Sequence, residues 1–268
     1  GLSPDFFWPV MRIFHKSSRA VLSATPRLSA ELESRGIPHT RPWTRGIDTA
    51  IFKPGLTPHP ALAALPKTIM LSVGRVAIEK NLESFLGAAV AGTKVIVGDG
   101  PALDELKRRY PDALFMGSLG GTELAQAYAA ADVFVFPSKT DTFGLVLLEA
   151  LASGLPVAAF PVAGPRDVIG TAPVGVLNED LRTACLEALG ISSESCVQFA
   201  VAHTWQASAR VFVEHALNVR PVEPEGEVAR AEIVSPLAGR FPGSSLNRHR
   251  CKTPRRRYRI APRPHPAR

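Results

Sequence analysis

Residues 131–157 read ADVFVFPSKTDTFGLVLLEALASGLPV and contain, in order, an apolar run, a polar loop and a longer apolar run that ends at Gly154. The first run, Val133–Phe136, consists of β-branched and aromatic residues, which favour strands. The second is long enough for a helix over residues 143–152, and the apolar residues 156–160 predict another strand. Both strands are apolar on both faces, which is typical of a parallel sheet covered by helices on each side.

The same alternation of strand and helix extends over residues 67–162. It predicts an α/β fold with a doubly wound parallel sheet and right-handed crossovers. The predicted strands are residues 68–73, 94–97, 113–116, 133–136 and 156–160, and the predicted helices are residues 81–91, 101–110, 122–131, 143–152, 181–189, 194–203 and 205–217. We expect Asn81 and Thr122 to cap helix starts, Pro101 to occupy a first helical position and Gly154 to stop a helix.

The chain divides into three segments by pattern. Residues 1–55 contain one helix-like stretch and one short predicted strand, Ala20–Ser23, which is too little to close a separate core. We therefore expect them to be the remnant of an N-terminal domain, followed by an interdomain linker. Residues 56–218 form the predicted sheet domain. Residues 219–268 lose the apolar periodicity and accumulate Pro and Arg, so we predict that they are disordered.

The net charge of +7 is concentrated at one end of the chain. Residues 219–268 hold 12 Lys and Arg against four Glu, which leaves 19 basic and 20 acidic residues in residues 1–218. The predicted sheet domain is thus close to neutral and lacks the charge of a nucleic-acid-binding surface. The basic segment has two interpretations. It binds anionic lipid or nucleic acid by counterion release, or it is the product of a frameshift in a GC-rich gene, which we favour.

The cysteines and the first residues indicate a reducing compartment. Cys185, Cys196 and Cys251 are an odd number without C-x-x-C spacing, which argues against a disulfide framework and against a cysteine zinc site. Residues 1–17 lack a basic region followed by an apolar core, so no targeting signal is recognised there. The longest apolar stretch, residues 143–164, contains a Glu and a Gly-Leu-Pro turn and is not predicted to span a membrane. The expected location is the cytoplasm, with peripheral contact at the inner face of the membrane as an option.

Polar and glycine residues follow the predicted strands, at the edge where a doubly wound sheet binds its ligands. Gly74, Arg75 and Lys80 follow the first strand. Glycines 98 and 100 follow the second, and a polar run over residues 138–144 follows the fourth. A pyrophosphate needs this combination of cations, close backbone approach and helix N-termini. The Rossmann G-x-G-x-x-G fingerprint is absent because position 103 is Leu, and no P-loop occurs, which disfavours NAD and P-loop nucleotide chemistry.

Asp141 and Glu149 are eight residues apart, on either side of a predicted helix start. Glu149 lies two turns inside an otherwise apolar helix, where a buried unpaired carboxylate costs on the order of several kcal/mol. It must therefore meet ligand hydroxyls or a cation, or reach a solvated edge. Spacing alone leaves a ligand role and a structural ion pair equally open.

Four ordered motifs resemble those of retaining GT-B glycosyltransferases of family 4. They are SVGRVAIEKN at residues 72–81, VGDGP at 97–101, ADVFVFPS at 131–138 and the run over residues 141–157. TRGIDTAIFKP at residues 44–54 is similar to the family's interdomain segment. The resemblance covers residues 12–217 and is nearest to the bacterial branch of α-mannosyltransferases and glycolipid glycosyltransferases. It implies the C-terminal, donor-binding domain of a GT-B fold, with a remnant of the N-terminal domain.

The family's motifs, matched residue by residue, imply roles for the polar edge. Arg75 and Lys80 match the pair that holds the donor diphosphate and steadies its charge as the sugar leaves. Asp141 takes the place of the first carboxylate of the E-x7-E signature, near the sugar, where the family more often has Glu. Glu149 matches the second, which accepts hydrogen bonds from the ribose. The other implied donor-binding residues are Gly74, Gly98, Phe115, Met116, Leu119, Thr142, Phe143, Gly144 and Leu145, with Phe115, Met116 and Leu119 expected near the base.

The resemblance implies transfer of a hexosyl group, mannosyl first, from a GDP- or UDP-linked sugar to a glycan or glycolipid acceptor with retained configuration. The sequence has no D-x-D motif, so we expect no cofactor and no obligatory metal. The family's acceptor site and acceptor-side His belong to the N-terminal domain, and we do not assign that role to His15. We therefore expect the chain to bind its donor but to turn over poorly alone.

Other interpretations stay open. One is a GT-B sugar-nucleotide epimerase or phosphorylase, which uses the same donor site without transfer to a second glycan. Another is a protein without catalytic activity that binds a nucleotide or, through the basic segment, nucleic acid. We do not expect nucleic acid to be a partner of the sheet domain, and contact of the basic segment with an anionic membrane is an option.

Overall fold

The computed structural model describes residues 7–218, so the predicted disorder of residues 219–268 lies outside the described residues. The helices are α1 Phe7–His15, α2 Pro26–Ser34, α3 Pro60–Ala63, α4 Leu82–Leu86, α5 Leu103–Arg109, α6 Gly121–Ala130, α7 Leu145–Ala152, α8 Ala163–Ile169, α9 Leu181–Ala188, α10 Ser193–Val201 and α11 Trp205–Leu217. The strands are β1 Val21–Ser23, β2 Thr40–Pro42, β3 Ile69–Val73, β4 Thr93–Val97, β5 Leu114–Phe115, β6 Val133–Phe136, β7 Val157–Ala159 and β8 Gly175–Leu177.

Strands β3 to β8 form one parallel sheet in the order β5-β4-β3-β6-β7-β8. The chain winds outward from β3 to β5 on one side, returns to the centre and winds outward from β6 to β8 on the other. This confirms the predicted doubly wound sheet. The strand order reverses between β3 and β6, and sheets of this kind open a crevice at that point, beyond the carboxyl ends of the strands.

Both faces of this sheet are buried, as the apolar strands predicted. Leu71 and Phe134 point into one core with residues of α3, α6, α7, α8 and α10. Met70 and Val133, one residue earlier on the same strands, point into a second core with α4, α5 and α9. All four side chains are fully buried. The alternation of faces along each strand therefore supplies both hydrophobic layers.

The predicted strands and helices are confirmed, with shorter bounds for several of them, and the additional elements are α1, α3, α8, β2 and β8. Gly154 ends α7 as predicted: it has φ +84°, and the N–H groups of Gly154 and Leu155 bond back to Leu151 and Ala150. The predicted caps at the other helices were wrong. Gly120, and not Thr122, occupies the N-cap position of α6. Pro101 lies before the start of α5, and the side chain of Asn81 forms no capping hydrogen bond to α4.

The segment before the sheet contains the parallel pair β1 and β2, with α2 beside them. The residues that follow β2 are attached to α11, because the indole N–H of Trp43 donates to the carbonyl of Ser208 at 3.0 Å. The Ser208 hydroxyl in turn donates to the carbonyl of Thr44 at 2.7 Å. A side chain at Gly46 would overlap the backbone of Trp205, so only glycine allows this approach. Within residues 7–218 there is no helix of the length and apolarity that crossing a bilayer requires.

Candidate functional site

A pocket opens at the switch point of the sheet, between the loop after β3 and the loop after β6. Its volume is about 550 Å³, which includes space open to solvent. Six of the site residues predicted from sequence line it: Gly74, Arg75, Lys80, Asp141, Gly144 and Leu145. These residues are up to 71 positions apart in the chain and meet because the carboxyl ends of neighbouring parallel strands share one edge.

The Lys80 ammonium and the Asp141 carboxylate form an ion pair inside the pocket, with 2.6 Å between Nζ and Oδ1. Both side chains are about one quarter exposed, at 27% and 24%. The second carboxylate oxygen, Oδ2 of Asp141, is buried and has no hydrogen-bond partner among the described residues. An unsatisfied buried acceptor is costly, so this oxygen is suited to accept a hydrogen bond from a ligand hydroxyl.

Arg75 contributes a second cation that is held only loosely. Its side chain is 65% exposed, and its guanidinium lies 3.5 Å from Oε1 of Glu79 one turn later. An exposed pair at this distance contributes little to stability. The guanidinium is therefore available to an anion that enters the pocket beside Lys80.

Backbone geometry brings the loop after β3 into close contact with the loop after β4. Gly98 has φ +140°, and a side chain there would overlap the carbonyl oxygen of Gly74. The Gly98 N–H donates to the carbonyl of Gly117 at 2.7 Å, which draws in the loop after β5 as well. Glycine at position 98 therefore lets three loops approach one another at the sheet edge.

The N-terminus of α7 also faces the pocket. Gly144 precedes the helix with φ +80°, and a side chain there would lie 3.2 Å from the Phe136 ring. Leu145 and Val146, the first residues of α7, line the pocket. The N–H groups of a first helical turn have no partner within the helix, and together with the helix dipole they favour a bound anion.

Glu149 lies one turn further along α7 and does not line the pocket. Its Oε2 accepts a hydrogen bond from the hydroxyl of Tyr128 at 2.9 Å. Burial raises the pKa of Glu149, and the Tyr128 hydrogen bond acts in the opposite direction. The Glu149 carboxylate thus contacts the phenol of Tyr128, whereas the sequence analysis considered ligand hydroxyls, a cation or a solvated edge. Its implied contact with the ribose stays a prediction.

The remaining five predicted residues are not among those that line the pocket. Phe115, Met116 and Leu119 are partly buried at the end of β5 and in the loop that follows. Thr142 is exposed, whereas Phe143 is buried in the core beneath α7. The roles that the resemblance implied for these five residues stay predictions.

Three polar residues in the loops after β3 and β6 were not among the predicted site residues. Ser138 and Thr140 belong to the polar run predicted over residues 138–144, whereas the role of Asn81 was missed. The Asn81 side chain reaches the carbonyl of Pro137, and the Thr140 hydroxyl reaches the carbonyl of Glu79 at 3.3 Å. Ser138 lines the pocket and is 2% exposed. Asn81 directly follows Lys80, which was the one available signal, but its position before a helix suggested a cap.

Metal binding has no visible basis in the part of the chain that the structure describes, where no three His, Cys, Asp or Glu side chains are grouped as metal ligands would be. The absence of an obligatory metal nevertheless stays a prediction.

The fold and the position of the pocket define a Rossmann-like domain of the GT-B type. Among solved structures, sucrose-phosphate synthase from Thermosynechococcus elongatus shares this fold with a TM-score of 0.69 and 24% identity over 80% of this chain and 61% of that one. Anabaena Alr3699/HepE in complex with UDP shares it with a TM-score of 0.66 and 16% identity over 80% of this chain and 68% of that one.

Sequence comparison identifies the domain. Residues 67–190 match the family described as glycosyl transferases group 1, and the chain therefore carries a glycosyl transferases group 1 domain. It is 34% identical over 233 residues to a GDP-mannose-dependent α-mannosyltransferase of Corynebacterium glutamicum, which is 79% of this chain and 55% of the relative. It is 38% identical over 175 residues to one of Mycobacterium tuberculosis, at 63% and 46%. The chain thus spans about half the length of these curated relatives.

Proposed function

We propose that the pocket binds a nucleotide diphosphate sugar and that the chain takes part in transfer of its hexosyl group with retained configuration. The observation that carries the proposal is the placement of Lys80 beside Asp141 at the N-terminus of α7, in the crevice of the sheet. A cation and free helical N–H groups suit the diphosphate, and an adjacent carboxylate suits the hydroxyls of a sugar. These are the two chemically different halves of one activated sugar.

GDP-mannose is the donor that we propose first. Three relatives, at 34–38% identity, are GDP-mannose-dependent α-mannosyltransferases. The near-neutral charge of residues 1–218 and the size of the pocket fit UDP-linked sugars as well as GDP-mannose. A panel of nucleotides therefore distinguishes the guanine base from the uracil base.

Lys80 and Arg75 would act chiefly on the leaving diphosphate. As the bond between the sugar and the diphosphate breaks, negative charge accumulates on the leaving oxygens. Cations and N–H groups already fixed around those oxygens stabilise the transition state without reorganisation. Two side-chain cations and the α7 N-terminus can supply this charge, which is the basis for proposing that no metal is obligatory.

Asp141 would hold the sugar on the face from which the diphosphate leaves. Its Oδ1 is occupied by Lys80, and its buried Oδ2 is the oxygen available to a sugar hydroxyl. A sugar fixed in this way can pass through a short-lived oxocarbenium-like state and receive the acceptor on the same face, which gives retention. Glu149 is proposed to contact the ribose.

The acceptor is proposed to be a glycan or glycolipid, and no described residue is assigned to it. Related chains include an α-monoglucosyldiacylglycerol synthase of Streptococcus pneumoniae, 36% identical over 136 residues. Because the chain spans about half the length of its curated relatives, we propose that it binds the donor measurably but transfers slowly alone.

A thermal-shift panel of GDP, UDP, GDP-mannose and UDP-glucose tests this proposal. At a ligand concentration of one hundred times Kd, binding adds about 2.7 kcal/mol to the free energy of unfolding. We expect the matching donor to raise Tm by about 5–10 °C, and Lys80→Ala to abolish the shift.

Lys67→Ala is the matched control for Lys80→Ala. Lys67 also pairs with an aspartate, Asp132, at 3.0 Å, but this pair lies at the amino ends of the strands, opposite the pocket. The control must keep the full ligand-induced shift. An equal shift in wild type and Lys80→Ala, or no shift with any of the four compounds, would contradict the proposed site.

A further inference from the structure

We propose that Asn81 is a positioning residue, whose side chain fixes the Lys80 turn to the loop after β6 and so sets where the Lys80 ammonium stands. The proposal rests on the proposed function, in which Lys80 contacts the donor diphosphate. Asn81 itself is not among the residues that line the pocket. Its effect on the ligand must therefore act through its neighbour in the chain.

The backbone of Asn81 has an unusual conformation that the turn requires. Residues Ile78–Lys80 form a single 3₁₀ turn, and Asn81 follows with φ +53° and ψ +33° before α4 begins. Non-glycine residues rarely adopt this left-handed conformation, and asparagine is one of the few that tolerate it. This conformation joins the 3₁₀ turn that ends at Lys80 to the start of α4.

The side chain of Asn81 uses both ends of its amide. Nδ2 donates to the carbonyl oxygen of Pro137 at 3.0 Å, and Oδ1 accepts from the hydroxyl of Ser84 at 2.8 Å. The carbonyl can only accept, so the amide nitrogen must face Pro137. Ser84, in the first turn of α4, holds the amide in that orientation.

Three consecutive residues of the loop after β3 contact the loop after β6. Glu79 accepts from the Thr140 hydroxyl, Lys80 pairs with Asp141, and Asn81 donates to Pro137. The first contact is exposed and 3.3 Å long, and the second is ionic, so water or salt weakens both.

Of the three contacts, that of Asn81 combines partial burial with the absence of charge, whereas the Lys80 contact is partly buried but ionic and the Thr140 contact is neutral but exposed. A diphosphate that binds Lys80 competes directly with Asp141 for the ammonium group. The ion pair between the loops is then weakened at the moment when Lys80 must stay in place. The hydrogen bond from Asn81 to Pro137 does not involve the ammonium and keeps the two loops together in that state.

Two substitutions in the full chain separate the side chain from the backbone. Asn81→Gly keeps the left-handed conformation and removes both amide hydrogen bonds, whereas Asn81→Ala removes the bonds and also strains the backbone. The matched control is Thr204→Ala, which removes the hydroxyl that caps α11 by accepting from Ala207 N–H. This control lowers stability by a comparable amount at a site remote from the pocket.

Two measurements follow the position of Lys80. Calorimetry gives the Kd for GDP, and mass spectrometry gives the rate at which acetic anhydride acetylates Lys80. We expect Asn81→Gly to raise Kd about tenfold, because the Lys80 turn is no longer held against the loop after β6. We expect acetylation to accelerate several-fold, because the mobile ammonium leaves the Asp141 carboxylate more often. Thr204→Ala must leave both quantities within about twofold of wild type while lowering Tm.

Wild-type values of Kd and acetylation rate in Asn81→Gly would overturn the proposal. An effect confined to Asn81→Ala would also overturn it, because the backbone conformation and not the amide would then matter. If wild type binds no GDP, UDP or sugar nucleotide, the proposed function fails, and the acetylation rates alone decide whether Asn81 positions Lys80.

Discussion

The hydroxyl of Tyr128 donates a hydrogen bond to Oε2 of Glu149, 2.9 Å away, across the contact between α6 and α7. Tyr128 is fully buried and packs edge-on against Phe52. Burial, and next the charge of Glu149, raise the pKa of Tyr128 well above its usual value, so the phenol stays protonated and donates. Burial also raises the pKa of Glu149. The fold thus keeps an acidic group where its ionised form is unfavourable.

The pH dependence of stability in Glu149→Gln tests this cost. Because the pKa of Glu149 is higher in the folded than in the unfolded chain, its ionisation favours unfolding. The penalty is absent below the unfolded pKa of about 4.5 and grows as pH rises through the folded pKa. We expect the variant to raise Tm at pH 7, by about 2–4 °C for each kcal/mol removed, and to lose this advantage near pH 4.

Calorimetry at unit steps from pH 4 to pH 8 measures this difference. A constant advantage across the whole range would show that a property other than the carboxylate charge separates the variant from wild type.

The same substitution is expected to weaken GDP binding while it stabilises the fold. A carboxylate that accepts hydrogen bonds from ribose hydroxyls contributes about 1.5–3 kcal/mol more than an unpaired group, so its loss should raise Kd about tenfold or more. A variant that is more stable than wild type but binds GDP more weakly would identify Glu149 as a ligand-binding residue whose charge destabilises the fold. Unchanged GDP affinity would leave Glu149 with a structural role only.

Tyr128→Phe is expected to destabilise the chain. The substitution keeps the packing of the ring but leaves Glu149 without its hydrogen-bond donor, at a cost of about 1–3 kcal/mol. The double variant with Glu149→Gln should recover part of this loss, because an amide tolerates burial better than a carboxylate. Urea unfolding of both single variants and the double variant gives the coupling, and strict additivity would argue against the hydrogen bond.

Much of the sheet could be predicted from the sequence, and the reasons are visible in particular elements. The runs at β6 and β7 are buried at every position, so apolar continuity alone identified them. Residues Gly175–Leu177 of β8 are only partly buried at the edge of the sheet, and three residues beginning with glycine give no strand pattern. The predictions at helix starts failed because several polar and glycine residues near each start are locally equivalent, and tertiary contacts choose between them.

The site was predictable to the extent that topology determines it. Arg75, Lys80 and Asp141 each follow a strand, and parallel strands bring such residues to one edge. The hydrogen bond between Tyr128 and Glu149 was not predictable. The two residues are 21 positions apart on different helices, and no sequence pattern relates the facing positions of two such helices. The amide of Asn81 was missed for the same reason, since its partner is 56 residues away.

Gly98→Ala is expected to destabilise the chain more than Gly74→Ala. The two glycines have similar backbone angles, φ +140° and φ +148°, so alanine strains both. Only at Gly98 does the added side chain overlap a neighbouring backbone atom, whereas nothing lies within 4 Å at Gly74. We expect a further loss of about 1–3 kcal/mol for Gly98→Ala, measured by urea unfolding. Equal losses would show that the two loops separate without cost.

Asp141→Asn separates the two proposed roles of the pocket. The substitution removes the charge that holds Lys80, so the ammonium becomes more available to a diphosphate, and the Kd for GDP should fall by about threefold to tenfold at low salt. Because the Lys80–Asp141 pair is partly exposed, the free energy of unfolding should change by less than about 1 kcal/mol. The amide still offers an oxygen to a sugar but no negative charge to an oxocarbenium-like sugar, so any measurable transfer or hydrolysis of GDP-mannose should fall steeply while GDP binds more tightly. Tighter GDP binding together with wild-type turnover would remove Asp141 from the chemistry, and weaker GDP binding would show that the ion pair prepares Lys80 for the diphosphate instead of competing with it.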